Sequence, residues 1–144
     1  MTERVLYLGI DVGSTTVKAV VINEKEEVLF STYQRHMSEV RQKIIDIVRE
    51  ICRQFSGCRF KLSMTGSGAL SLCTKLNVPF VQEVIASSLS IKKIIPDADV
   101  IIELGGEDAK LTFLTSGTDL RMNETCAGGT GAFIDQMASF LNME

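Results

Sequence analysis

No stretch of this 144-residue chain holds the roughly 18 consecutive apolar residues that a membrane-spanning helix requires. A secretory leader is not expected either: Glu3 and Arg4 precede only a short apolar stretch, which Asp11 interrupts. Basic residues form no dense block, and 15 Lys+Arg against 18 Asp+Glu leave a formal charge of −3, which argues against a nucleic-acid surface. There is one histidine, His36, and no serine or cysteine nucleophile pairs with it in the sequence. A catalytic triad therefore has no support, and His36 is expected at the surface or capping a helix. The four cysteines (Cys52, Cys58, Cys73 and Cys126) lack any paired metal-ligand spacing. Without an export signal they read as reduced thiols of a cytoplasmic protein, not as a disulfide framework. Neither a GxxxxGKS/T phosphate loop nor a GxGxxG dinucleotide fingerprint is present. No internal repeat, low-complexity tract or linker is visible.

What remains is an ordinary globular composition, 45% hydrophobic and 23% charged. The length suits one domain, since a chain of this size can bury about 70% of its unfolded surface. Val5–Ile10, Val17–Ile22 and Val28–Tyr33 are apolar runs rich in β-branched and aromatic residues, separated by short polar turns, which predicts an antiparallel meander. Ser38 is placed to cap a helix running to about Phe55, whose Val40, Ile44, Ile47, Val48 and Ile51 fall on one face, with Gly57 as its stop. Phe60–Met64 reads as a strand ending in Thr65-Gly66-Ser67-Gly68, a turn taken as tight packing, followed by a short helix over 69–76. A further helix spans Gln82 to Ile95 before Pro96. Val100–Leu104, Lys110–Leu114 and Thr118–Arg121 read as strands, the last two joined through Ser116-Gly117, and a final helix starts near Gly129–Gly131. That helix reaches the last residues without a stop signal, so the chain is expected to be cut in or after it from something longer.

Three segments carry chemistry. In Asp11-Val-Gly13-Ser14-Thr15-Thr16-Val-Lys18, between two strands, Gly13 permits positive φ and close backbone approach. The hydroxyls and amides of Ser14, Thr15 and Thr16 can wrap phosphate oxygens, and Lys18 adds positive charge. Asp11, at a strand end, can hold a hydrated Mg²⁺ through its waters. The alternative reading is a plain hairpin with a polar turn. Glu103-Leu-Gly105-Gly106-Glu107-Asp108-Ala-Lys110 repeats that logic at another strand end, so two glycine turns could serve one polyphosphate. In Asn123-Glu124-Thr125-Cys126-Ala-Gly128-Gly129-Thr130-Gly131, the glycines and Thr130 open a helix, where free amides and the dipole favour an anion. The same environment favours a thiolate at Cys126. Cys52, Cys58 and Cys73 are expected as buried packing residues.

Together with Thr65–Gly68 and Gln82-Glu83-Val84-Ile85-Ala86, these segments resemble the activases of 2-hydroxyacyl-CoA dehydratases and the ATPase subunits of benzoyl-CoA reductase. That family sits in the superfamily of actin, sugar kinases and heat-shock chaperone ATPases. The resemblance runs over nearly the whole chain and is closest in ELGGEDAK and RMNETCAGGTGAFIDQMA, which look like the CoA-substrate-specific enzyme activase branch. It implies an α/β fold, a ribonuclease-H-like half of an actin-like ATPase: a mixed sheet of three antiparallel strands extended by parallel strands, with helices on both faces. It implies one nucleotide-binding lobe over 1–144, binding ATP and Mg²⁺. Asp11 and Glu103 would be the catalytic carboxylates; Gly13–Thr16 and Gly105-Gly106 would be the phosphate turns. Cys126 matches the first of two cysteine ligands of a 4Fe-4S cluster shared between two subunits or two halves. The partner implied is a dehydratase that receives one low-potential electron per ATP-driven step.

The implied second cluster cysteine, adenosine pocket and opposing half fall outside these residues, so the cluster is not expected in this chain by itself. Where shorter activases carry Cys-His after a Glu83-like position, this chain has Ala86-Ser87-Ser88. Two other readings stay open: a lobe of a sugar- or acetate-kinase-like phosphotransferase, or a non-enzymatic actin-like ATP sensor. Cys126 separates the first from an activase, because a kinase has no use for a thiolate there.

Overall fold

A computed structural model describes residues 4–115, 119–122 and 130–143. It is a mixed α/β chain whose elements run β1 (Val5–Val12), β2 (Thr16–Ile22), β3 (Val28–Arg35), α1 (Val40–Gln54), β4 (Arg59–Thr65), α2 (Leu70–Leu76), α3 (Glu83–Ile94), β5 (Val100–Leu104), β6 (Ala109–Phe113), β7 (Asp119–Met122) and α4 (Gly131–Phe140). The chain divides into two compact units, Met1–Val81 and Gln82–Glu144.

In the first unit the three expected antiparallel strands pair as β3-β2-β1, and β4 adds to β1 in parallel, giving the order β3-β2-β1-β4. A parallel neighbour requires a crossover, and α1 supplies it. Leu6, Leu8, Ile10 and Val12 alternate onto one face of β1 and are buried with Val17, Ala19 and Val21 of β2. Ile47 and Ile51 of α1 complete this core, each fully buried and each contributing about 1.5–3 kcal/mol by leaving water. The helix starts otherwise than the sequence suggests. Ser38 lies at φ +67°, and the N-cap is Glu39, which makes no side-chain capping bond. The stop is as expected, with Gly57 at φ +78° just beyond the last turn.

Only β4 extends the antiparallel set. The strand after α3 opens a second sheet, with β5, β6 and β7 antiparallel in sequence order. The second unit thus repeats the opening of the first: three antiparallel strands, then a helix. That repeat is not visible as sequence identity. The hairpin turn anticipated at Ser116-Gly117 lies outside the described residues, although the strands on either side pair as a hairpin would require. No described helix is long and apolar enough to cross a membrane.

Candidate functional site

The first turn is built where β1 passes to β2. Gly13 N–H donates to the Thr16 carbonyl at 2.9 Å and closes it. Ser14 is exposed, Thr15 half-buried and Thr16 buried. Gly13 does not use positive φ, contrary to the sequence reading; a Cβ there would meet Thr16 at ordinary contact distances of 3.5 and 3.6 Å. Glycine is therefore not demanded by the turn itself.

His36 holds this turn and is buried, so the expectation of a surface or capping histidine is corrected. Its backbone N–H donates to the Thr15 carbonyl at 3.1 Å. Its Nδ1 accepts the Ser38 N–H at 3.2 Å, which assigns the ring proton to Nε2, 3.3 Å from the Gly13 carbonyl. The signal was in the register: Thr16 pairs with Arg35, so the next residue after β3 meets the turn.

Asp11 and Lys18 are register partners on β1 and β2, and Lys18 Nζ donates to Asp11 Oδ2 at 2.9 Å. On the other side, Asp11 is the register partner of Thr65 at the end of β4. Asp11 Oδ1 and Thr65 Oγ1 are both buried without a hydrogen-bond partner. Beside them Gly66 stands at φ +93°; a Cβ there would overlap Asp11 Oδ1 and the Val12 carbonyl. The turn read as tight packing is tight, and it packs against the candidate site. A carboxylate oxygen and a hydroxyl, both oxygen donors and both unsatisfied, suit a hydrated Mg²⁺, which takes oxygen ligands and keeps most of its waters.

The second turn repeats this geometry. Gly105 N–H donates to the Asp108 carbonyl at 2.8 Å, and Glu103 and Lys110 are register partners as Asp11 and Lys18 are. Lys110 Nζ donates to Glu83 Oε2 at 2.6 Å and lies 3.7 Å from Glu103 Oε1. Burial opposes its charge. The Glu83 hydrogen bond, with the fields of Glu103, Glu83 and Asp108, more than offsets this, so the Lys110 pKa is raised above 10.5. The sequence reading assigned no role to Lys110 or Glu83; Glu83 lies a helix away and nothing in the pattern links the two. Thr130 is fully buried as the N-cap of α4. Its hydroxyl donates to the Gly106 carbonyl at 3.0 Å, and the Gly131 and Ala132 amides donate to the Gly105 and Gly106 carbonyls. The start of α4 thereby braces the second turn.

Cys126, Gly128 and Gly129 lie outside the described residues. Cys73 is buried and Cys58 half-buried, as expected of packing residues, but Cys52 is exposed. It follows Ile51 on α1, and one residue along a helix turns the side chain away from the core. No group of three or more His, Cys, Asp or Glu that could hold a metal occurs among the described residues.

A family model described as the BadF/BadG/BcrA/BcrD ATPase family matches residues 8–144. The chain is 29% identical over 142 residues to the (R)-2-hydroxyglutaryl-CoA dehydratase activating ATPase of Acidaminococcus fermentans, with 95% of this chain and 54% of that protein covered. A similar match, 29% over 149 residues, links it to the 2-hydroxyisocaproyl-CoA dehydratase activator of Clostridioides difficile, covering 95% and 53%. Among solved structures, the activator of 2-hydroxyisocaproyl-CoA dehydratase from Clostridium difficile with bound ADPNP superposes with a TM-score of 0.78 at 25% identity, over 96% of this chain and 53% of that one. The chain spans about half the length of the curated relatives it matches.

Proposed function

From the premise that the chain belongs to the BadF/BadG/BcrA/BcrD ATPase family, we propose that it supplies phosphate-binding elements of an ATP-hydrolysing activase. The whole protein would deliver a low-potential electron to a 2-hydroxyacyl-CoA dehydratase or a related CoA-substrate reductase in the cytoplasm. One observation carries the nucleotide reading. Two strand-turn-strand units have the same carboxylate, the same glycine-closed turn and the same register-paired lysine, Asp11/Gly13/Lys18 and Glu103/Gly105/Lys110. Each such turn, taken by itself, suits phosphate oxygens.

In this reading the Ser14 and Thr15 hydroxyls and the turn amides donate to phosphate oxygens, and Lys18 places positive charge beside them. Asp11 would hold a hydrated Mg²⁺ through its waters, and the metal would supply charge that offsets the phosphates. His36 keeps the first turn in shape through the Gly13 and Thr15 carbonyls. In the second unit Lys110 offsets one of the two negative charges of Glu83 and Glu103, which lessens the repulsion they would exert on a phosphate. Gly128, Gly129 and Thr130 would add amide donors at the start of α4. Cys126 is assigned as one thiolate ligand of a 4Fe-4S cluster, the group that would supply the one-electron chemistry, shared across a homodimer or a pseudo-dimer.

Anaerobic purification of the whole protein, with iron and acid-labile sulfide analysis and an ATPase assay, tests the proposal. Iron and sulfide near four each per cluster, with ATP hydrolysis, are expected. ATP-dependent phosphorylation of a small molecule without iron would replace it with the kinase reading.

A further inference from the structure

Three hydrogen bonds join the start of α4 to the second turn, and in all three the turn is the acceptor. Gly131 N–H donates to the Gly105 carbonyl at 2.9 Å, and Ala132 N–H to the Gly106 carbonyl at 2.8 Å. The Thr130 hydroxyl donates to that same Gly106 carbonyl at 3.0 Å. A threonine at an N-cap ordinarily accepts an amide of its own helix. Thr130 is the N-cap of α4, fully buried, and makes no such bond. Its hydroxyl serves the turn. Gly131 permits the close approach, since a Cβ there would stand 3.1 Å from the Gly105 carbonyl oxygen.

These contacts set the direction of two peptide groups. A trans peptide is planar, with its C=O and the following N–H pointing opposite ways. With the Gly105 and Gly106 carbonyls turned onto α4, the N–H groups of Gly106 and Glu107 point away from it. Neither amide donates to another described residue. Gly106 is half-buried and Glu107 exposed, so a ligand can reach them. Successive amides facing one side form a concavity that holds an anion. The amides of Gly131 and Ala132, by contrast, are already engaged. The positive end of α4 therefore acts on a ligand through the turn, because a donor on each carbonyl polarises the peptide and strengthens its N–H. Both peptide groups adjoin Gly106, which has no Cβ to restrict rotation. Loss of a bond to α4 would let a carbonyl turn toward the ligand, where it repels an anion.

We propose that Thr130 is a positioning residue for the nucleotide phosphates: its hydroxyl, bonded to the Gly106 carbonyl, holds the Gly106–Glu107 peptide with its N–H toward them. The inference rests on the ATP reading above and gives the Thr130 hydroxyl a role apart from the amides at the start of α4. That hydroxyl touches the turn and not the phosphate. Its loss should therefore weaken phosphate binding and leave recognition of the nucleoside intact.

The test uses the whole protein. Calorimetry reads its affinity for ADPNP, which carries the phosphates, and for adenosine, which does not. Thr130→Val keeps the shape and removes the hydroxyl, and Ala132 N–H still satisfies the Gly106 carbonyl, so no buried acceptor is orphaned. ADPNP affinity should fall about threefold to tenfold, the usual contribution of one hydrogen bond. Thr130→Ser, which keeps the donor, should restore it to within about twofold. Adenosine affinity should not change in either variant. Should Thr130→Val fail to fold, Thr130→Ala asks the same question. Unchanged ADPNP affinity in the hydroxyl-free variant overturns the inference. So does a loss that Thr130→Ser does not restore, or an equal loss for adenosine. If the wild-type protein itself binds ADPNP no better than adenosine, the phosphate reading of these turns has failed instead.

Discussion

Replacing Gly66 by alanine should damage the first unit more than the same change at Gly13. A Cβ on Gly66 would lie 2.6 Å from the Val12 carbonyl carbon and closer still to Val12 O and Asp11 Oδ1. Two of those three atoms are backbone at the end of β1, so no side-chain rotation relieves the overlap. Holding a non-glycine residue at φ +93° costs about 1–3 kcal/mol. Forcing a methyl into filled space costs roughly 1–3 kcal/mol more. The sum, about 2–5 kcal/mol, is a large fraction of a total domain stability of about 5–15 kcal/mol. Tyrosine fluorescence reads the first unit alone, since the chain has no tryptophan and its two tyrosines, Tyr7 and Tyr33, both belong there. With an m-value of about 2 kcal/mol/M, the urea midpoint should fall by about 1–2.5 M. Gly13→Ala is the control. Its Cβ meets Thr16 at 3.5 and 3.6 Å, so stability should stay within about 1 kcal/mol of wild type. In the whole protein it should nevertheless weaken ATP binding. A Gly66→Ala midpoint within experimental error of wild type would show that the close approach of β4 to β1 does not constrain this corner.

His36→Ala should cost about 1–3 kcal/mol, because it removes the ring from between Gly13 O and the Ser38 amide. ATP affinity of the whole protein should fall with it, as titration calorimetry can measure. Lys110→Met leaves Glu83 and Glu103 without their shared cation and should cost about 1–3 kcal/mol in the unfolding free energy. Because the folded Lys110 pKa is raised above 10.5, its contribution is fully present below that value and is lost as pH rises through the folded pKa. The difference between wild type and Lys110→Met in urea unfolding should be flat from pH 7 to 9 and shrink above about 10.5. Cys126→Ser should abolish the visible iron–sulfur absorption of the whole protein and spare nucleotide binding, while Cys52→Ser, Cys58→Ser and Cys73→Ser keep both. Retention of the cluster in Cys126→Ser would refute its assignment as a ligand.

Several features of this chain are determined locally, and its sequence shows them. The strands follow from β-branched runs bounded by polar turns, and the core face of α1 from the spacing of Val40, Ile44, Ile47, Val48 and Ile51. The two glycine turns follow too, because a carboxylate, a glycine and a lysine within one hairpin are neighbours by chain connectivity alone. Other features depend on which strands become neighbours, and periodicity is silent on that. Thr65 meets Asp11 only because the α1 crossover sets β4 parallel against β1 in one register, bringing distant turns to one sheet edge. His36 is buried because β3 returns alongside β2 and delivers the next residue to the first turn. Lys110 on β6 finds Glu83, the first residue of α3, only because the second unit brings the two side chains together, and Ser38 loses its capping role to a backbone bend at φ +67°. That β5 starts a second sheet instead of extending the first was likewise decided by pairing. A strand's own residues specify which of its faces is buried, whereas its neighbour is chosen by the hydrogen bonds and packing of the whole unit.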